Sequence, residues 1–237
     1  ERLPPQAVQN LLNQYFHAMF EVMQRHGGII SDIAGDGVMC IWSAPIYTPS
    51  ACAGAIGAAV ALLEAVENFN LAHPRHMLPT RIGVHAGSAL LGIVGGAGRY
   101  ASTVVGDVAN TASRIEGLNK QLGTRLLASE EALNQVTGFV LRPLGEFLLA
   151  GKSEPIGVSE VLGRIGDPHT AALASAFAEA FEAFQSHAWD DCVMMLEALL
   201  RSYPHDGPSR YFLSRALRFR TAPKEASVAL IPRVGKT

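Results

Sequence analysis

Gly28-Ile29-Ile30-Ser31-Asp32-Ile33-Ala34-Gly35-Asp36-Gly37-Val38-Met39-Cys40-Ile41-Trp42 is the stretch from which the rest of the chain can be ordered. Ile29 to Ile33 and Val38 to Trp42 are two short β-prone runs. Ala34-Gly35-Asp36-Gly37 between them reads as a hairpin tip, where the glycines supply backbone freedom. A carboxylate held between two glycines at such a tip, Asp36, is open to solvent and can come close to a ligand. Taken alone, an aspartate there is more often a simple turn residue.

Upstream, Val8, Leu11, Leu12, Tyr15, Phe16, Met19, Val22 and Met23 recur at helical spacing, which predicts an amphipathic helix from Pro5 to about His26, ended by Gly27-Gly28. Downstream, Pro45 and Pro49 punctuate a loop, and Ser50 is placed to cap an alanine-rich helix running toward Asn70. Arg81 to His85 and Leu90 to Val94 read as strands around Ala86-Gly87-Ser88. Gly95-Gly96-Ala97-Gly98 reads as a turn leading into a strand from Tyr100 to Val105. Asp107 suits the N-cap of a helix from Val108 to about Leu122. Arg125 to Ala128 predicts a strand and Ser129-Glu130-Glu131 a short helix. Phe139 to Phe147 and Gly157 to Val161 predict two more strands, joined through Gly151-Lys152-Ser153-Glu154-Pro155. Strands and helices interleave with hairpins among them, the pattern of an α+β domain with helices packed on one sheet.

The character changes near Gly163-Arg164-Ile165-Gly166-Asp167-Pro168, so residues 1–163 read as one domain and 164–237 as a helical extension. Phe177, Phe181 and Phe184 line one helical stripe, Trp189 opens a second helix, and Tyr203-Pro204 stops it. The pattern resembles a single tetratricopeptide-type helix pair, which cannot bury its own face and must dock on something. Thr221 to Thr237 has no clear period and reads as a flexible tail.

A second segment joins the first. Arg81-Ile82-Gly83-Val84-His85-Ala86-Gly87 is followed by Thr103-Val104-Val105-Gly106-Asp107-Val108-Ala109-Asn110-Thr111-Ala112-Ser113-Arg114. With the Gly-Asp hairpin, this strand–turn–helix ending in Asn-x-x-x-Arg resembles the signature of class III adenylate and guanylate cyclases, in the same order and at fitting separation. The resemblance covers roughly Leu3 to Leu162. It implies a ferredoxin-like sheet with helices packed on it, and a lyase that turns ATP or GTP into a 3′,5′-cyclic nucleotide and pyrophosphate in signal transduction.

The resemblance also implies roles for individual residues. Asp36 matches one of two metal carboxylates for Mg²⁺ or Mn²⁺; such hard cations take oxygen ligands and lower the pKa of the attacking 3′-hydroxyl. The other carboxylate is expected upstream of Glu1, on a strand before this sequence. Asn110 and Arg114 are four apart, so they share one helix face near an N-terminus that favours phosphate. In the family, Arg114 would stabilise charge on the α-phosphate and Asn110 would orient the ribose. Lys152 matches a lysine near the terminal phosphates.

Asp32 and Thr103 occupy the two base-selecting positions. An acidic Asp32 accepts from guanine N1–H and N2–H₂ and faces adenine N1 poorly. Thr103 can donate to guanine O6 or accept from adenine N6–H₂, and a threonine there resembles a subgroup of adenylate cyclases. The two positions thus leave ATP and GTP both open, with the chemistry of Asp32 favouring GTP. The family's sites lie between two catalytic domains set head to tail, which implies a homodimer. The rival reading is a non-catalytic nucleotide-binding regulatory domain derived from such a cyclase.

Other features are bland. His85 sits on a strand between apolar neighbours and reads as structural. Gly92 to Gly98 precedes a strand, so it is no phosphate loop. A net charge of -2 over 237 residues argues against nucleic-acid binding. Cys40, Cys52 and Cys192 lack any metal-ligand spacing and read as reduced, implying a cytoplasmic domain. The apolar stretch Ala51 to Leu63 is too short to span a bilayer and reads as a buried helix. A sensor or membrane anchor upstream is compatible with all of this.

Overall fold

The computed structural model describes residues 4–43, 49–96, 99–222 and 233–234, without the side chains of residues 34, 49, 91, 93–96, 99–105 and 233–234. The proline loop at Pro45, the tip at Ala97-Gly98 and most of the expected tail lie outside the described residues. The chain divides into two compact units, one formed by residues 1–80, 86–110 and 134–136, the other by 81–85, 111–133 and 137–237.

The first unit opens with α1 (Pro5–Arg25), which starts on a proline at its first turn and buries Tyr15, Met19, Val22 and Met23 along one stripe. Gly27 adopts φ +75° and Gly28 N–H donates to Met23 O at 2.9 Å, so the glycine pair closes the helix end with a reversed backbone. β1 (Ile29–Ala34) and β2 (Gly37–Ile41) pair antiparallel, with a bulge between Ile30 and Asp32. Gly28 has a second duty. A Cβ there would fall 2.6 Å from both Cys40 Sγ and Trp42 Cζ2, so only glycine lets the chain enter the hairpin beside those side chains.

α2 (Pro49–Ala72) packs on α1. It is long and apolar enough to cross a membrane, yet Ile56, Ala58, Leu62 and Val66 are buried inside the unit, as expected of a core helix. β4 (Leu90–Gly96) and β5 (Arg99–Val105) form a second antiparallel hairpin, confirming strand on both sides of the glycine-rich segment.

The second unit carries a five-stranded sheet in the order β3-β6-β8-β7-β9. Its strands are β3 (Ile82–Val84), β6 (Leu126–Ser129), β7 (Phe139–Leu149), β8 (Ile156–Arg164) and β9 (Arg233–Val234). β3 runs parallel to β6, and β6 and β7 both pair antiparallel with β8. β9, within the expected tail, pairs parallel with Leu148 and Leu149. α3 (Asp107–Leu122) begins in the first unit and continues in the second, and α4 (Glu130–Leu133) is the short helix after β6. Among the described residues the strands therefore fall into three ladders, two of them hairpins.

Beyond the sheet come α5 (Pro168–Gln185), α6 (Trp189–Ser202) and α7 (Gly207–Thr221). A third helix thus follows the expected pair. Asp167 and Asp206 cap α5 and α7 by accepting from His169 N and Ser209 N, each at 2.9 Å; such caps are worth about 1 kcal/mol. The helices dock on the sheet and share its core, which joins Ile115 and Leu118 of α3 and Phe147 of β7 to Phe177, Leu196 and Phe219. Each large apolar side chain buried this fully contributes about 1.5–3 kcal/mol. Gly145, at φ +87°, makes room on β7 for α5: a Cβ there would lie 2.9 Å from Phe181 Cζ.

A charged cluster sits inside that core. Arg142 on β7 is 1% exposed; its Nε donates to Glu160 Oε2 on β8 at 2.9 Å, Nη2 donates to the same oxygen, and Nη1 donates to Asp206 Oδ1 at 2.8 Å. Its guanidinium also lies over the Phe177 ring, 4.9 Å from the centroid. Burial pushes the Glu160 carboxyl above its ordinary range, with the Arg142 charge pulling it back.

Candidate active site

The hairpin β1–β2 presents both of its predicted carboxylates to solvent. Gly35, at φ +65°, makes the reversal that a β-branched or bulky residue would resist, and Asp36 follows it at the tip. Asp32 lies on β1 opposite Met39, and its Oδ1 accepts from the backbone N–H of Ile33 at 2.8 Å. One carboxylate oxygen is thus already engaged by the local backbone. Behind the hairpin, in the same unit, the Tyr15 hydroxyl is 2.5 Å from Thr80 Oγ1. Burial pushes the Tyr15 phenol up, against the Thr80 hydrogen bond, and the negative Asp36 adds to the rise. The Cys40 thiol on β2 is pushed up to about 11, mainly by burial, which makes it a poor nucleophile at neutral pH. All three cysteines are unpaired by disulfides.

Thr103 lies on β5 opposite Gly92, so its strand position is as predicted while its side chain lies outside the description. Asn110 and Arg114 are both on α3, four residues apart, Asn110 exposed and Arg114 half-buried. Asp107 occupies the first turn, so the helix begins one residue earlier than expected. The turn between β7 and β8 comes up against Arg114. At Gly151, φ +74°, a Cβ would stand 3.3 Å from Arg114 Nη2, and the turn is closed by Lys152 N–H donating to Leu149 O at 3.0 Å. Arg114 and the segment bearing Lys152 are therefore neighbours, while Asp32 and Asp36 share the hairpin of the other unit.

Several residues that hold this arrangement carry no local motif. Gly83 on β3 lets α3 lie directly on the strand: a Cβ there would meet Glu116 N at 2.3 Å and Ala112 O at 2.4 Å. Asn119, fully buried on α3, donates from Nδ2 to Ile82 O at 3.0 Å and accepts from Thr124 Oγ1 at 2.8 Å. The first bond holds the helix on β3 and the second orients the amide for it. An asparagine amid Ile115, Leu118 and Leu122 on an apolar stripe was the available signal for it, since a buried amide must find partners. His85 Nδ1 lies 2.8 Å from Ser129 Oγ, which also receives Ala132 N–H at 3.4 Å as the α4 cap, so this histidine serves the frame.

Among the described residues no group of three or more His, Cys, Asp or Glu side chains is gathered as a metal site. The donor chemistry fits a hard divalent cation in part: Asp36 offers an exposed carboxylate at a hairpin tip, one oxygen ligand of the several such an ion takes.

Residues 1–159 match the family model for the adenylate and guanylate cyclase catalytic domain. Among curated proteins, the chain is 37% identical over 176 residues to adenylate cyclase 1 of Rhizobium meliloti, covering 73% of this chain and 26% of that protein. It is 32% identical over 172 residues to the adenylate cyclase of Anabaena cylindrica, covering 68% of this chain and 33% of the relative. The chain thus spans about a quarter to a third of the length of these relatives. Of solved structures, the guanylyl cyclase Cya2 superposes with a TM-score of 0.60 at 26% identity, over 71% of this chain and 86% of that one. The adenylyl cyclase CyaB from P. aeruginosa gives a TM-score of 0.61 at 23% identity, over 70% and 87%. The hairpin, the strand–turn–helix and the matched span agree: this chain belongs to the adenylate and guanylate cyclase catalytic domain family.

Proposed function

We propose that the chain is the catalytic part of a nucleotidyl cyclase, which closes the 3′,5′ ring of a purine nucleoside triphosphate and releases pyrophosphate. The observation that carries this is the setting of Arg114: a half-buried guanidinium midway along α3, backed by the β7–β8 turn that bears Lys152. A cation fixed in that way is preorganised for the charge that grows on the α-phosphate as the 3′-oxygen attacks. Preorganised stabilisation of this kind is worth about 3–4 kcal/mol per donor. Asn110, one turn ahead on the same face, orients the ribose, and Lys152 meets the terminal phosphates. Asp36 would hold Mg²⁺ or Mn²⁺, which supplies Lewis acidity for the 3′-hydroxyl and offsets phosphate charge. A residue set retained for structure alone has no need of an exposed tip carboxylate together with this helix face, which disfavours a non-catalytic role.

For the base, two facts support ATP: both curated relatives above are adenylate cyclases by name, and Asp32 turns one carboxylate oxygen back onto Ile33 N–H. The remaining oxygen of Asp32 still suits guanine, so the acidic residue itself supports GTP. A homodimer completes the reading. Ile29 and Ile33 of β1 and Leu90 of β4 are exposed apolar residues of the kind a second domain covers. Residues 1–163 act as the catalytic domain and 164–237 as its helical extension, in a cytoplasmic setting.

The test is product formation by the full-length protein with Mn²⁺ and either ATP or GTP. Cyclic AMP as main product assigns adenine and leaves Asp32 without a reading role; cyclic GMP makes Asp32 the guanine reader. Neither product, from folded protein, contradicts the proposal.

A further inference from the structure

Helix α7 meets α3 at the C-terminal end of α3, beyond Arg114. Gly207, the first residue of α7, approaches α3 so closely that a Cβ would fall 2.2 Å from Leu122 O and 2.7 Å from Gly123 Cα. The reverse holds as well: a Cβ on Gly123 would stand 3.0 Å from Gly207 Cα. Two backbones touch with no side chain between them. One residue earlier, Asp206 caps α7 with Oδ2, and its Oδ1 accepts from Nη1 of the buried Arg142 of β7. Arg142 is bonded in turn to Glu160 of β8. These two strands lead into the turn at Gly151, against which the Arg114 guanidinium rests.

Two paths therefore run from the start of α7 to Arg114, both inside one compact unit. The first goes through Gly207 to the last turn of α3 and along the helix. The second goes through Asp206 and Arg142 to β7, β8 and their turn. A helix is stiff along its axis, so a stop placed at one end sets the position of groups at the other.

We propose that Asp206 and Gly207 are positioning residues for the cyclisation, fixing α3 on the sheet and, through it, the place of Arg114. This rests on the cyclase reading given above. It makes the helical layer α5–α7 part of the catalytic frame: loosening the start of α7 changes turnover without touching the nucleotide. Misplacement of a catalytic group by about 1 Å can cost about a hundredfold in rate, so a partial loosening has room to be seen.

Asp206→Asn keeps a capping oxygen but removes the charge facing Arg142, and Gly207→Ala inserts the colliding Cβ. Leu199→Ala, in the core of α6, serves as a comparison for stability loss within the same helical layer. Amide hydrogen exchange and steady-state kinetics are measured on all of them in the full-length protein. Asp206→Asn and Gly207→Ala are expected to speed exchange along residues 115–122 of α3. They are also expected to lower kcat by about tenfold while KM moves by less than about twofold. At equal loss of melting temperature, Leu199→Ala is expected to leave α3 exchange closer to the parent.

Unchanged α3 exchange in both Asp206→Asn and Gly207→Ala would overturn the inference. So would an equal effect of Leu199→Ala, or a KM rise that accounts for the whole loss. The exchange readout does not depend on turnover, so a parent protein that makes no cyclic nucleotide contradicts the cyclase reading while the mechanical coupling is still judged.

Discussion

The hairpin β1–β2 and the Arg142 cluster both carry charged side chains, and they use them in opposite ways. Asp32 and Asp36 stay exposed on the hairpin, where an approaching ligand can compete with water for them. Arg142, Glu160 and Asp206 are drawn from three separate elements into the interior, where each charge is tolerable only because the others are present. Exposed charge is available for chemistry, whereas buried charge is committed to architecture. The difference predicts that the two regions fail differently: the first loses activity with the fold intact, the second loses stability, and activity only through the position of α3.

The largest contrast comes from the chemical side. On the role proposed for its guanidinium, stabilising charge that develops only in the transition state, Arg114→Ala is expected to lower kcat by about a hundredfold or more, with a much smaller rise in KM. Steady-state kinetics checks this, and the melting temperature should move little. An equal rise in KM would mean that Arg114 binds ground state and transition state alike.

On the architectural side, Arg142→Met leaves Glu160 and Asp206 facing each other without compensation and should cost about 3–5 kcal/mol in denaturant unfolding. Adding Glu160→Gln to that variant should return part of the loss, since the remaining penalty is buried charge. A cost no greater than that of an exposed arginine would erase the distinction between the two regions.

Gly83→Ala lies between them. The new methyl meets the α3 backbone, so a stability loss of about 1–3 kcal/mol is expected, accompanied by lower turnover because α3 carries Asn110 and Arg114. Melting and turnover measured on one preparation would show whether the two losses travel together.

The smallest effect is a matter of pH. Burial raises the Glu160 pKa in the folded protein above its ordinary 4.5, so between the two values the folded state holds a proton that the unfolded state has released. Stability from this group is therefore fully present below about 4.5 and is lost as pH rises through the folded value. Comparing melting temperatures of parent and Glu160→Gln from pH 4 upward isolates it: the parent should lose ground to the variant as pH rises. A constant difference would show that the Arg142 pairing cancels the burial.

The same contrast explains what the sequence disclosed. The hairpin, the helix expected from Val108 and the strands expected from Phe139 and Gly157 begin within a residue of the expected positions, because turn glycines, caps and apolar periods act over a few residues. Asp36, Asn110 and Arg114 could be named as candidates because their spacing resembles the family signature, and the structure puts Asp36 at the hairpin tip and the other two on α3. Arg142 reads as an ordinary strand arginine until Asp206, 64 residues later, is folded against it. Gly83 and Gly207 have no turn to make, and their need for a missing Cβ arises only from a partner backbone elsewhere in the chain. The extension was legible as helices that must dock, but its third helix and its shared core with the sheet depend on long-range packing.

If Asp36 and Arg114 serve one reaction in a site drawn from two chains, as proposed, the full-length protein shows it directly. Asp36→Ala and Arg114→Ala are each assayed for cyclic nucleotide formation with Mn²⁺, alone and then mixed. Each alone should be nearly inactive, and the mixture should recover activity, because a site built from two chains can draw its intact carboxylate from one and its intact guanidinium from the other. Failure of the folded mixture to recover any activity would contradict the shared, two-chain site. Substantial activity in either variant alone would remove that residue from the chemistry.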